Sequence, residues 1–317
     1  MSTKVTHDTS VQEAIATAVK LSSGLAQVIR GKDRQLQQVV AAFLAGGHVL
    51  LEDLPGLGKT TLAKTLAGLI GGDIHFRRIQ CTPDLLPYDI TGVDVFNPET
   101  HAFSFQPGPV FTNILLTDEI NRTTPKVQSA LLEVMAENQV TVGMATHRVD
   151  ELFFVIATQN PIDLHGTYQL PAAQRDRFMV QLQLGFPDAE TEFAILKEDP
   201  GHTVEVQPVV DRGEVLHARQ GVRDVFVSDE LIRMTSRLLQ HTRHHAAFEF
   251  GASPRAGLML LSMARGLAAV AGRGFVIDQD IVEAAPLVLA HRLIVRKGTA
   301  RELLDEMVRR EADQLAP

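Results

Sequence analysis

The chain has 317 residues, 45% of them hydrophobic and 21% charged, with a formal net charge of −8. That length favours about two domains and a sizeable core. The acidic balance argues against nucleic acid as the main ligand, since phosphate backbones are held by a basic face, and the longest apolar run, residues 258–270, carries Arg265 and is too short to span a membrane.

In chain order, residues 1–10 are polar and are expected to fray. They hold no apolar leader, so a secretory signal is not expected and a cytoplasmic setting is. Ala14, Ile15, Val19, Leu21 and Leu25 recur at helical spacing over 11–28. A break at 28–31 precedes a second apolar helix over 36–45, which Gly46 and Gly47 end. A short buried strand over 48–51 then runs into Glu52-Asp-Leu-Pro-Gly-Leu-Gly-Lys-Thr-Thr61. Pro55, Gly56 and Gly58 forbid regular structure there. From Lys59 onward Leu62, Ala63, Leu66, Ala67, Leu69 and Ile70 return at helical spacing. Strand, glycine loop and helix start make a phosphate cradle: the segment Pro55, Gly56, Leu57, Gly58, Lys59, Thr60, Thr61 aims backbone N–H groups and the positive end of a helix dipole at one point. Lys59 is placed for the β- and γ-phosphates of ATP, and Thr60 for Mg²⁺. The pattern asks for glycine six residues before the lysine, where this chain has Asp53.

Further on, 74–80 alternates as a strand. Cys81, the sole cysteine, excludes an internal disulfide and suits a reducing compartment; it reads as a small buried apolar residue. A helix-poor connector spans 82–92. Residues 93–96 and 103–105 flank Asn97-Pro-Glu-Thr100 as a hairpin, with a satellite ribbon sealing the sheet as the alternative. Ile114-Leu-Leu116 ends in Thr117-Asp118-Glu119, as buried parallel strands do, and the carboxyl ends of such strands bind ligands. A helix over 127–135 turns Leu131, Leu132 and Met135 inward. A second hairpin pairs 140–142 with 148–149 around Gly143–His147. A strand over 152–157 delivers Thr158-Gln159-Asn160-Pro161, and 179–184 is the last strand. Five strands with helices between them predict a parallel sheet. After Gly185-Phe186-Pro187 only helical patterns follow: an irregular linker over 202–211, helices opened by Ser228, Ser253-Pro254 and Asp278, a kink at Pro286, and a charged helix over 299–315. The division is an α/β core, 1–187, and a helical domain, 188–317.

Asp118-Glu119 lies 59 residues past Lys59 on another strand, and parallel packing puts that strand's end beside the glycine loop. Asp118 then suits Mg²⁺ and Glu119 suits the polarising of an attacking water; the alternative is an acidic helix cap. Asn160, closing the next strand, suits the opposite side of that water. The spread negative charge of a γ-phosphate transition state calls for arginine, with Arg175, Arg177 and Arg255 as candidates. His241, His244 and His245 fall at metal-ligand spacing on a helix but lack a third ligand direction, so a solvated helix face is expected. His291-Arg292 with Arg296-Lys297 is a basic cluster suited to a helix end, with a partner site as the alternative.

The strings Gly-Leu-Gly-Lys-Thr-Thr61, Thr82-Pro-Asp-Leu-Leu-Pro, Gly108-Pro-Val-Phe, Asp118-Glu-Ile-Asn-Arg122, Gln128-Ser-Ala-Leu-Leu-Glu133, Ala157-Thr-Gln-Asn-Pro161, Asp176-Arg-Phe178 and Ser253-Pro-Arg255 occur in this order. The series resembles the MoxR family of AAA+ ATPases over about residues 28–295. The resemblance implies a P-loop AAA+ core with a five-stranded parallel sheet, a small all-helical lid, and a ring, usually a hexamer, with ATP and Mg²⁺ at each boundary. It implies Asn160 as sensor 1, Arg177 as the finger reaching a neighbour's ATP, Arg255 as sensor 2, and Ile29 and Gly31 bordering adenine. Arg175 stands where an aliphatic residue is usual, so the finger lies between Arg175 and Arg177. Residues 93–105 become the helix-2 insert and 140–149 the hairpin before sensor 1. The implied role is remodelling of a client protein matured by metal or cofactor insertion, with a von Willebrand factor A domain partner. A nucleic-acid motor of the same architecture and a monomeric P-loop kinase are the rivals.

Overall fold

The computed structural model describes residues 2–161, 167–197 and 206–314. Helix α1 (Ser2–Val28) starts well before residue 11, where the apolar helical pattern begins. Ala14, Ala18, Leu21 and Leu25 are fully buried and pack with Leu36 and Val39 of α2 (Asp33–Leu44). Strand β1 (Val49–Glu52) leads to α3 (Lys59–Gly68). The helical pattern through Ile70 is cut short, because Ile70 and Gly71 form a two-residue strand, β2 (Ile70–Gly71). After β3 (Phe76–Gln80) the connector holds one helical turn that the sequence did not signal, α4 (Pro87–Thr91). Proline opens that turn, and the Asp89 carboxylate accepts the Leu86 N–H at 2.8 Å.

The first hairpin, β4 (Gly92–Asn97) and β5 (Ala102–Pro107), is antiparallel in full register. Its base is a close crossing: a Cβ on Gly108 would come within 2.3 Å of the Ile90 carbonyl oxygen, so only glycine fits. Val93, Val95, Phe96 and Phe103 are exposed, so the ribbon stands off the sheet and does not seal it. Strand β6 (Ile114–Asp118) is buried throughout. Helix α5 (Pro125–Glu137) then leads to the second hairpin, β7 (Gln139–Val142) and β8 (Ala145–Arg148). Its register pairs Val142 with Ala145, so the turn is the two residues Gly143 and Met144, shorter than the five predicted. Next come β9 (Phe154–Gln159), α6 (Ala172–Arg175) and β10 (Val180–Leu182).

The central sheet has the order β10-β1-β9-β6-β3, with every adjacent pair parallel. Both faces are covered, and alternate residues feed two cores. Val49, Leu51, Ile114, Leu116, Phe154 and Ile156 join the cluster containing α1 and α2. Leu50, Leu115, Val155 and Ala157 join the cluster with Leu131 and Leu132 of α5. Burial on both faces makes the inner strands β1, β6 and β9 read as continuous apolar runs, whereas the edge strand β3 carries exposed Arg77 and Arg78.

At the foot of β1, the Nδ1 of buried His48 accepts the Val155 N–H at 3.1 Å. The neutral ring therefore keeps its proton on Nε2, toward the Met135 carbonyl. Burial pushes its pKa down to about 4 from an ordinary 6.5. The folded value lies below the unfolded one, so as pH falls the unfolded chain takes the proton first. Stability is whole above about pH 6.5 and is lost as pH drops toward 4. Urea unfolding at several pH values is expected to show this loss, and His48→Gln to remove about 3 kcal/mol of it.

Beyond the sheet lie α7 (Ala189–Lys197), β11 (Val210–Asp211), α8 (Arg212–Asp224), α9 (Asp229–His244), β12 (Phe248–Phe250), α10 (Pro254–Val270), α11 (Asp278–Leu289), β13 (Ile294–Val295) and α12 (Ala300–Asp313). This part is not purely helical as expected: β12 pairs with β13, and β11 pairs in parallel with β2 of the core. Helix α8 lies along α1, where a Cβ on Gly221 would approach the Ser10 carbonyl oxygen to 2.1 Å. Of the predicted linker, 202–205 lies outside the described residues. Ser228 and Ser253 cap α9 and α10, their hydroxyls accepting the Leu231 and Ala256 N–H groups. Pro286 sits inside α11, which continues three residues past it. Of the histidines at metal-ligand spacing, His241 is engaged by protein: its Nδ1 lies 2.9 Å from the buried carboxylate of Glu311, which also takes Arg237 Nε at 2.7 Å.

Candidate functional site

The carboxyl ends of β1, β6 and β9 converge on a cleft of about 350 Å³. Gly56 and Gly58 adopt φ of 86° and 80°, which side chains disfavour, and a Cβ on either would meet no atom within 4 Å. The loop therefore faces open space in front of the N-terminus of α3, where orphan N–H groups and the helix dipole favour anions. Lys59 Nζ folds back across the loop and donates to the Asp53 and Leu54 carbonyls at 2.8 and 2.9 Å. Burial lowers its pKa, while Asp53, Asp118 and Glu119 oppose that shift.

Asp53 explains its own departure from the glycine pattern. Positive φ outside glycine occurs, among the described residues, at His101, Glu119 and Asn138, so Asp53 turns in an ordinary region. Its buried carboxylate accepts the Leu184 and Gly185 N–H groups at 2.6 and 3.0 Å. The side chain clamps the loop's first residue to the end of β10, a role glycine does not have.

Asp118 closes β6. Its Oδ1 accepts the Thr158 hydroxyl at 3.1 Å, and its Oδ2 accepts Arg78 Nε at 2.7 Å. Glu119 follows in the left-handed region at φ 56°, a conformation that costs energy in a non-glycine residue. Its N–H donates to the same Thr158 hydroxyl at 2.8 Å, which fixes the turn. Arg122 Nε reaches the Glu119 carboxylate at 3.1 Å, and Gln80 Nε2 reaches it at 3.5 Å. Asn160, just past β9, lines the same cleft.

The cleft thus brings together Pro55, Gly56, Gly58, Lys59, Thr60, Thr61, Asp118, Glu119 and Asn160. Sequence reasoning missed Arg78, Gln80 and Thr158. The signal for Gln80 was register, since it pairs directly with Asp118. Leu57, Ile29 and Gly31 lie off its wall; Ile29 packs against the core, and Gly31 (φ 68°) abuts Thr191 of α7. One hydroxyl (Thr60) and one carboxylate (Asp118) beside a phosphate cradle suit Mg²⁺, which binds through few protein oxygens and keeps water and phosphate as its other ligands.

The arginines divide by setting. Arg175 Nε is buried without an acceptor, and burial lowers the pKa of that side chain, with Glu52 opposing. Among the described residues the Arg177 guanidinium makes no hydrogen bond or ion pair. Arg255, in the first turn of α10, has its Nε 4.0 Å from Asp176 Oδ2. The other oxygen of Asp176 takes Arg292 Nε at 2.7 Å. Of the expected basic cluster at 291–297, Arg292 does meet the helix end, donating to the Val288 carbonyl, but its side chain is 4% exposed and donates to the Asp176 and Met179 carbonyls as well, so it is also a bolt between the helical part and the sheet. Burial lowers its pKa, and Asp176 opposes that. His291 is buried beside it, and burial holds it neutral.

Comparison with known proteins agrees with this geometry. A profile described as "ATPase family associated with various cellular activities (AAA)" matches residues 48–180, and one described as "AAA lid domain" matches 240–313. The chain is 45% identical over 258 residues to the uncharacterized protein YeaC of Bacillus subtilis, covering 81% of this chain and 80% of that one. It is 40% identical over 292 residues to chaperone MoxR1 of Mycobacterium tuberculosis, covering 89% and 77%. A Cytophaga hutchinsonii protein of known crystal structure, described as a candidate ATPase, superposes with a TM-score of 0.86 at 35% identity, covering 98% of both chains.

Proposed function

The chain belongs to the MoxR family of AAA+ ATPases, and from that premise we propose that it hydrolyses ATP at the P-loop cleft to remodel client proteins as a ring. The observation that carries this reading is the convergence of Lys59, Thr60, Asp118, Glu119 and Asn160 on one cleft from three adjacent strand ends. The phosphates lie against the loop N–H groups, and Lys59 turns from the Asp53 and Leu54 carbonyls onto the β- and γ-phosphates. Thr60 and Asp118 would hold Mg²⁺, which would supply charge neutralisation at the phosphate oxygens; Arg78, which donates to Asp118 Oδ2, would share that carboxylate with the metal. Glu119 accepts a proton from water as the water oxygen bonds to the γ-phosphorus, and the bond to the ADP oxygen breaks. Asn160 positions that water. Arg255 reaches the same nucleotide on lid closure, and Arg177 reaches across the boundary to a neighbour's.

The exposed ribbons favour a protein client over nucleic acid. Phe103 is 71% exposed with Phe96 exposed beside it, ring centroids 5.2 Å apart, Met144 is exposed at the turn of the second ribbon, and the first ribbon carries Asp94 and Glu99 rather than a basic stripe. Maturation of a client by metal or cofactor insertion, and a von Willebrand factor A domain partner, belong to this proposal. The working division remains a core, 1–187, and a lid, 188–317, with 206–224 coupling the lid to α1 and β2. Lys59→Ala is expected to weaken ATP binding by about 10²-fold, the value of one charge-assisted contact, as read by nucleotide titration. Phosphate release in the absence of any acceptor separates this reading from a kinase, and turnover unchanged by DNA separates it from a nucleic-acid motor.

A further inference from the structure

Both oxygens of the Asp118 carboxylate are engaged by protein. Oδ1 accepts the buried Thr158 hydroxyl at 3.1 Å. Oδ2 meets two nitrogens of one guanidinium: Arg78 Nε donates to it at 2.7 Å, and Arg78 Nη2 lies 2.6 Å away. A carboxylate oxygen offers about two lone-pair directions, so Arg78 fills the oxygen that Thr158 leaves over. The Asp118 side chain is 10% exposed and that of Arg78 is 48% exposed. Both line the P-loop cleft, and the arginine therefore covers the carboxylate from the cleft side.

The same guanidinium has a second place to rest. Arg78 and Gln80 are two apart on β3 and share a face, and Arg78 Nη2 donates to Gln80 Oε1 at 2.9 Å. β3 is the last strand of the sheet, so water reaches the charge there. The neighbouring Glu119 carboxylate is matched separately, by Arg122 Nε at 3.1 Å. Each of the two adjacent carboxylates thus has its own arginine, and the one on Asp118 sits where a metal ligand needs a free oxygen. Two cations on one carboxylate oxygen repel strongly in a half-buried site. An exposed ion pair, by contrast, adds little to stability, so folding alone does not account for this contact.

We propose that Arg78 is a positioning residue that competes with Mg²⁺ for Asp118 Oδ2 and so raises the metal concentration the site requires. The proposal rests on the P-loop reading above. One hydroxyl and one carboxylate are few ligands for Mg²⁺, which relies on phosphate oxygens and water for the rest; with Arg78 on that carboxylate, metal loads together with nucleotide and not ahead of it. When Oδ2 passes to the metal, the guanidinium keeps its bond to Gln80. The sign of the effect separates this role from a structural one. Removing a competitor lowers the Mg²⁺ requirement, whereas removing a support leaves Asp118 less well oriented and raises it.

The test is calorimetric titration of ADP into the full chain at constant ionic strength, first in EDTA and then at rising Mg²⁺, with Arg78→Met beside the unaltered chain. The quantity read is the Mg²⁺ concentration that gives half of the metal-dependent tightening of ADP. Arg78→Met is expected to lower it about tenfold, with ADP affinity in EDTA held within about threefold. An equal or higher Mg²⁺ requirement overturns the competition. So does ADP binding in EDTA that is weakened about tenfold or more, because Arg78 then grips phosphate. If the unaltered chain does not bind ADP, or Mg²⁺ does not tighten that binding, the P-loop reading falls and this proposal with it; tightening at the same Mg²⁺ concentration in both chains removes the role of Arg78 alone. Should Arg78→Met not fold, Arg78→Gln, which also removes the charge, is read by the same criteria.

Discussion

Glu119→Gln is expected to leave ATP bound and to slow its hydrolysis by about 10²-fold or more. Glutamine keeps the size of the side chain and its contacts with Arg122 and Gln80, but it does not accept a proton from water. The backbone explains why the position matters. Glu119 sits at φ 56° with its N–H tied to Thr158, and the same hydroxyl ties Asp118. One threonine thus orients the carboxylate proposed for the metal and the residue proposed to activate water together, and the strain is held by the buried end of β6. Glutamine fits the same backbone, so its effect falls on chemistry and not on folding. Measured phosphate release at saturating ATP, beside nucleotide affinity, separates the two. An unchanged rate would remove Glu119 from this role.

The parts of the fold legible in sequence were those with a local period or a rigid local rule. All five strands of the sheet were found: the inner ones because burial on both faces leaves uninterrupted apolar runs, as at Ile114, Leu115 and Leu116, and the edge strand β3 by its alternation. Gly56, Gly58 and Lys59 were found because the loop's conformation restricts which residues fit. The two-residue strands β2 and β11 were missed because nothing repeats within two residues; their pairing depends on α8 packing against α1. Arg78 was missed for a related reason: on an edge strand, an alternating arginine reads as a solvent-facing charge until Asp118 is placed beside it. Arg292 was read only in part: it does donate to the Val288 carbonyl at the end of α11, as a basic residue at a helix end should, but its burial was not foreseen. Its partner Asp176 lies 116 residues away, and only tertiary packing shows that the charge is buried and matched. Asp53 is the reverse case, in which an apparent defect in a motif is explained by a contact with residues 184 and 185.

The largest effect is expected from Arg177→Ala. An arginine supplied to a γ-phosphate transition state raises turnover about 10³–10⁵-fold, so an assembly built wholly of this variant should bind ATP and be nearly inert. The two candidate fingers differ in their settings. Arg175 is half-buried in its own subunit with Glu52 as its charge neighbour; Arg177, two residues on, has no side-chain partner among the described residues. Asp176 between them is occupied by Arg292 and approached by Arg255, which fixes the backbone from which Arg177 projects. Mixing makes the outcome decisive. Arg177→Ala subunits hold ATP but offer no finger, and Lys59→Ala subunits offer a finger but hold little ATP. Each is inactive alone. Where they meet, the ATP of one faces the arginine of the other, so the mixture should recover hydrolysis that neither shows alone. An arginine acting within its own subunit predicts a mixture as inert as its components, and that result would rule out the ring mechanism while leaving the P-loop chemistry of Lys59 and Glu119 intact.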